Sequence, residues 1–193
     1  MKEKVWDLFV RFFHWSLVLS FTAAYLTVEF GHYSEKYDFD EVHEFLGYFI
    51  AFLVITRIVW GFIGSKYAKF ASFIFKPSEY ISNFKAILTN KHDKHYMGHN
   101  PLGGAMVFAL ISGLLILVFS GLVLLGWSEY MGPVWALGIP VSENFGEIIQ
   151  FIHYEVPELM LLLIGAHILG VFVAMKQHKE NLVKSMFTGY KES

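Results

Sequence analysis

Four stretches almost empty of charge constrain this chain more than anything else in it. They cover residues 12–28, 45–64, 101–127 and 148–175. Each approaches or exceeds the roughly 20 residues an α-helix needs to cross a bilayer. In hydrocarbon every backbone polar group must be satisfied within the chain, and runs of this length do so as helices. The expectation is an all-α integral membrane protein, an up-down four-helix bundle in a single domain over residues 1–193. Its spans are predicted at about 10–30, 42–64, 101–127 and 147–176, with a surface loop over 65–100. Only 17% of residues are charged, against about 25% in a soluble domain, so lipid is the first partner implied. The first span is not expected to be a cleavable signal, because Glu3 and Asp7 stand where a basic leader belongs and no clean small-residue exit follows.

Lysine and arginine set the expected orientation. Lys2, Lys4 and Arg11 precede the first span, and Lys66, Lys69, Lys76, Lys85, Lys91 and Lys94 lie between the second and third. Lys176, Lys179, Lys184 and Lys191 follow the fourth. The connection between spans one and two holds Lys36 among Glu29, Glu35, Asp38, Asp40, Glu41 and Glu44, and that between three and four holds Glu129, Glu143 and Glu147 with no base. Both termini are expected on the cytoplasmic side of a bacterial inner membrane, in a multi-pass protein. Trp127, Tyr130, Trp135 and Tyr154 are predicted for the outer aromatic belt, and Trp6, Trp60 and Tyr67 for the inner one. Residues 78–89 carry Tyr80, Ile81, Phe84, Ile87 and Leu88 at helical spacing, which suits a helix lying on the membrane surface. Nothing in the sequence points to a nucleic-acid partner.

Histidine inside a membrane is costly and needs a reason. Threading the spans places His14 near the inner face, and His43 and His153 near the outer one. His167 follows His153 by 14 residues, close to four helical turns on one face and about 21 Å deeper. Two depth-matched pairs result, His43 with His153 and His14 with His167. The spacing is too long for one ion, which favours histidines three or four residues apart. It fits two planar cofactors in a helical bundle, each held by two histidines as a haem is. With no cysteine in the chain, such a haem is held by coordination and packing alone.

Gly47, Gly165 and Gly170 leave room near these histidines, and Gly113, Ser120 and Gly121 read as a packing wall, although small residues also serve plain helix packing. Arg57 lies 14 residues after His43 on the same face, and Arg11 one turn before His14. Both suit haem propionates, with snorkelling to the interface the rival reading of Arg57. His92, His95 and His99 form H-x2-H-x3-H, expected as a solvated lysine-rich loop; His32 and His178 are expected at the interface. Pro157 inside the fourth span opposes the carbonyl of His153 and predicts an irregularity there.

The segments VWDLFVRFFHW, HEFLGY with RIVWGFIGSKYA, GHNPLGG, and the fourth span's His-x13-His followed by HKENLVKSMFTG together resemble the bacterial cytochrome b561 family. That family is related to the b-type cytochrome subunits of nickel–iron hydrogenases and formate dehydrogenase. The resemblance covers nearly the whole chain. It implies two b haems and electron transfer to or from quinone, either as an electron-transfer protein or as a subunit of an oxidoreductase. It also implies a quinone near the inner haem, at Asn100 with His99 beside it; Asn100–Pro101 equally makes a good helix start. AAYLTVEF and VWALGIPVSEN are similar to segments of short b561 cytochromes that oxidise superoxide. Superoxide favours a positive outer surface, and the acidic outer loops instead favour a cationic periplasmic partner such as a c-type cytochrome. A haem-free assembly or transport protein is the third alternative.

Overall fold

The structure, a computed structural model, describes residues 2–31, 39–89 and 94–192. His32, Lys36 and His92 of the sequence reading lie outside the described residues. Among those described, four helices are long and apolar enough to cross a membrane: α1 (Leu8–Gly31), α2 (Phe39–Ile63), α4 (Pro101–Ser128) and α6 (Glu143–His178). They run one to four residues beyond the predicted ends at several termini, and α2 stops one residue short. Between α2 and α4 lie a 3-10 turn at Phe70–Phe73 and α3 (Pro77–Leu88), and α5 (Gly132–Ala136) precedes α6. The chain closes with α7 (Leu182–Thr188) and the strand β2 (Tyr190–Glu192), paired antiparallel with β1 (Lys2–Lys4). That small sheet departs from a purely helical expectation. Strands of three residues carry no readable alternation in sequence.

The chain divides into two compact units. The first contains residues 1–16, 55–109 and 163–193, the second 17–54 and 110–162. Helices α1 and α4 begin in the first unit and end in the second, and α2 and α6 do the reverse, as up-down spans require.

The first unit is built around Asp7 and Trp6. Asp7 caps α1 by accepting the Val10 N–H at 2.8 Å, which satisfies one of the helix's orphan donors. Its other oxygen accepts from Trp60 Nε1 at 3.0 Å and Ser65 Oγ at 2.5 Å, fastening the end of α2 to the start of α1. Trp6 is buried with Val5, Val10 and Ala68 and donates to Ser185 Oγ at 3.2 Å. It is therefore a core residue and not part of an aromatic belt, because the β1–β2 pairing folds both termini over it. Helix α3 forms where its spacing predicted it, presenting Ile81, Phe84 and Leu88 outward. Asn83 is buried on its inner face and accepts the Leu102 N–H at the start of α4, at 3.4 Å.

In the second unit Ile50, Leu53, Val54, Ile111, Leu114, Val123, Ile149 and Met160 are buried. Gly113 packs directly against Met160, so an added Cβ there would collide with its sulfur. Tyr130, Trp135 and Tyr154 are exposed, as belt residues are. Helix α6 runs unbroken through Pro157.

Candidate functional site

The four histidines singled out by depth fall into the pairs that the threading predicted. In the second unit the rings of His43 and His153 lie 6.2 Å apart between centroids, nearly perpendicular at 87°. Each has one ring nitrogen fixed by a neighbouring helix. His43 Nδ1 lies 3.0 Å from the Ala24 carbonyl and 3.3 Å from Thr27 Oγ1. A carbonyl only accepts, so Nδ1 carries the proton. Thr27 in turn donates to the Ala24 carbonyl at 2.7 Å. His153 Nδ1 lies 2.9 Å from Ser120 Oγ. Ser120 spends its own proton on the Leu117 carbonyl at 3.1 Å, which leaves its oxygen to accept the His153 Nδ1–H. Both imidazoles therefore keep the Nε2 lone pair for a ligand. Gly121 faces the His153 ring closely, since a Cβ there would come within 3.0 Å of Cε1.

In the first unit His14 and His167 lie 6.5 Å apart between ring centroids, at 52°. His14 Nδ1 is buried without a hydrogen-bond partner among the described residues, and Trp15 meets its ring edge-on at 5.0 Å. Trp15 stacks on Phe187 at 4.4 Å, and its indole nitrogen is likewise buried without a partner. Arg57 is 4% exposed, so it does not snorkel. Its guanidinium donates to the Ala68 carbonyl at 3.0 Å and lies over the Phe70 and Phe73 rings, while Nη1 has no partner among the described residues. Leaving a buried donor unmet costs about 1–3 kcal/mol, so Nη1 is the donor this site offers to an anion. Arg11 instead spends its Nε on the Asp7 carbonyl and its Nη1 on that of Phe187.

The loop before α4 is not a uniformly solvated run. His95 is exposed and pairs with Glu180 at 2.7 Å, whereas His99 lies between Trp6 and Phe73, with centroids at 4.9 and 4.7 Å. Its Nδ1 is buried and unpartnered. Burial, with the nearby charges of Lys191 and Arg57, pushes the His99 imidazole down to about 3, so the ring is neutral at physiological pH. Asn100 caps α4: its Oδ1 accepts the Gly103 N–H at 2.7 Å. The helix-start role of Asn100 is thus observed.

These pairs fit a haem. A metal bonded to two facing imidazole nitrogens at about 2.0 Å each leaves the ring centres about 6 Å apart, which is the separation found twice. Among the described residues no three histidines, cysteines, aspartates or glutamates converge on one point. A bare ion would find only two protein ligands, whereas a haem brings its own in-plane nitrogens. A Cβ added to Gly47, Gly165 or Gly170 would meet no atom within 4 Å, so the helices beside His43 and His167 are not closed by side-chain packing. The sequence reading missed Thr27 and the Ala24 carbonyl as orienting groups, and it took Ser120 only for packing. Hydroxyls one turn from a helical carbonyl are common, and only the third dimension shows which one meets an imidazole.

Four apolar helices bearing two facing imidazole pairs define the class: a membrane-embedded b-type cytochrome. Residues 5–189 match the family described as prokaryotic cytochrome b561, and the chain belongs to that family. No curated protein and no solved structure matches the chain. Membership makes it a multi-pass bacterial membrane protein that binds haem b and transfers electrons.

Proposed function

We propose that the chain holds two b haems, one between His14 and His167 and one between His43 and His153. On this reading it relays electrons between quinone and an outer, periplasmic redox partner, in the bacterial cytoplasmic membrane. The observation that carries it is the pair of imidazole separations, 6.5 and 6.2 Å. When bound, haem supplies a one-electron couple at each level. The protein's part is to hold and tune it. The Ala24 carbonyl and Ser120 Oγ keep the protons of His43 and His153 on Nδ1, and hydrogen bonding to that proton raises the basicity of the opposite nitrogen. Arg57 Nη1 is offered to a propionate of the inner haem. Arg11, already committed to two carbonyls, has the smaller share. His99 and Asn100 border the quinone.

The test is a pyridine haemochrome count on purified protein. Wild type should carry two haems per chain, and His14→Ala and His43→Ala should each carry one. A chain purified without a reducible b-type absorption band would return it to the haem-free class and end this reading. Superoxide oxidation is the competing activity. Saturable superoxide loss with added quinone would favour it over a protein partner.

A further inference from the structure

Lys191 is the most costly side chain in the first unit that the haem reading leaves unused. It is 7% exposed, near the end of the chain in β2. Its ammonium donates to the carbonyls of Tyr96 at 3.4 Å and Gly98 at 3.3 Å, directly behind His99 and Asn100. It lies over the Trp6 ring at 5.9 Å and faces Glu180 Oε2 at 3.8 Å. Glu180, itself largely buried, holds His95 Nε2 on its other oxygen at 2.7 Å. His95 has 41% of its side chain in solvent, and its ring also meets His178 at 5.5 Å. Three titratable groups from three separate segments thus run in order from water to the back of the His99 loop.

A structural clasp would explain a lysine on two carbonyls. It does not explain why the carboxylate that balances it is shared with an exposed histidine. Quinone chemistry supplies a reason. A quinone taking two electrons takes two protons to become a quinol, and a quinol giving up two electrons releases two. His99 lies buried between Trp6 and Phe73, so a quinone beside it exchanges those protons through side chains. We infer that His95, Glu180 and Lys191 form the proton-exchange route between the aqueous surface and the quinone bordered by His99. This rests on the proposed quinone reading. Inward, a proton passes from His95 Nε2 to Glu180 Oε1, and from Glu180 Oε2 to Lys191 Nζ. The 3.8 Å between the last two closes to hydrogen-bond distance with a small side-chain movement. Lys191 Nζ takes up that proton only after giving its own to an oxygen of the reduced quinone on the His99 side of the loop, so the ammonium is restored after each transfer. Burial pushes the Lys191 ammonium down from its ordinary value, against the pull of Glu180, which suits a lysine that must give up a proton. The groups facing this line are Glu3, directly opposite Lys191 across the β1–β2 pairing, the His99 imidazole, the Trp6 ring and His178.

Arginine separates a clasp from a relay. Lys191→Arg keeps the charge and the donors but does not deprotonate in a protein. Glu180→Gln keeps hydrogen bonding and loses the acid. The measurement is stopped-flow reduction of the haem by a quinol, in light and heavy water, beside reduction by dithionite. The relay predicts that Lys191→Arg and Glu180→Gln, with wild-type haem content, react with quinol at least tenfold more slowly. Their dithionite rates should be unchanged, and His95→Gln should flatten the pH profile of the quinol rate. Quinol rates within twofold of wild type in both variants would overturn the relay and leave the quinone reading standing. Should wild type itself be reduced by dithionite but not by quinol, the quinone reading fails and the relay with it.

Discussion

At the scale of single residues, the His43 and His153 imidazoles are set by helical carbonyls and by hydroxyls that lie one turn from them. Ser120 donates to Leu117 and accepts from His153; Thr27 donates to the same Ala24 carbonyl that fixes His43. Ser120→Ala removes the acceptor without changing the helix. We predict that it weakens retention of the outer haem about 10- to 100-fold, the usual cost of losing such a partner, with the inner haem unaffected. Titration of the apoprotein with haem checks this. Asp7 supports a prediction about acid. Burial alone would push its carboxyl up, but the hydrogen bonds from Ser65, Val10 and Trp60, with the charge of Arg57, outweigh it and hold Asp7 below its ordinary value of 3.8. The folded protein then binds this proton more weakly than the unfolded chain does. The stabilisation is complete above the unfolded value and is lost as pH falls through the lower folded one. Asp7→Asn should therefore melt lower than wild type at neutral pH, and the difference should shrink in thermal scans below about pH 4. The four histidines were legible because depth can be counted along a helix. Ser120, Thr27 and Lys191 were not, because their partners come from elements 33, 16 and 93 residues away.

At the scale of elements, the spans announced themselves by length and lack of charge, and α3 by its spacing. The terminal clasp did not. It depends on Gly189, which ends α7 at φ 88° and accepts the N–H groups of Val5 and Trp6 at 2.8 and 3.1 Å. A Cβ there would lie 2.6 Å from the Trp6 carbonyl oxygen. Gly138 also has positive φ, 64°, yet a Cβ at that position would meet nothing within 4 Å. The pair separates backbone strain from collision. Gly138→Ala should cost only the strain of a left-handed residue, about 1–2 kcal/mol. Gly189→Ala should cost distinctly more and loosen β1 from β2. Melting temperatures in detergent, with hydrogen exchange at residues 2–6, would show both. Equal losses would mean that the clasp yields without resistance. Pro157 lies inside α6, which stays helical through it; the proline removes one donor, and a helix can bend at such a point without ending.

At the scale of the whole molecule, charge follows the division into units. Every described lysine and arginine belongs to the first unit. The second carries Glu29, Asp40, Glu41, Glu44, Glu129, Glu143 and Glu147. The positive-inside rule predicts the termini on the cytoplasmic side, and a reporter fused at Ser193 should be active there. On the proposed reading the same partition decides what a haem between His43 and His153 can meet. An acidic surface speeds the approach of a cation and slows that of an anion, and at 0.1 M salt the field reaches only about 10 Å. Electron exchange with a basic c-type cytochrome should therefore slow by about tenfold as salt rises from about 10 mM to about 200 mM. Oxidation of superoxide, an anion, should instead gain from the same salt. Replacing Glu143 and Glu147 by glutamine should flatten the first dependence while both haems and the quinol reaction stay as in wild type. A rate with the basic cytochrome that rises with salt would remove the cationic partner, and the acidic loops would then need a different explanation.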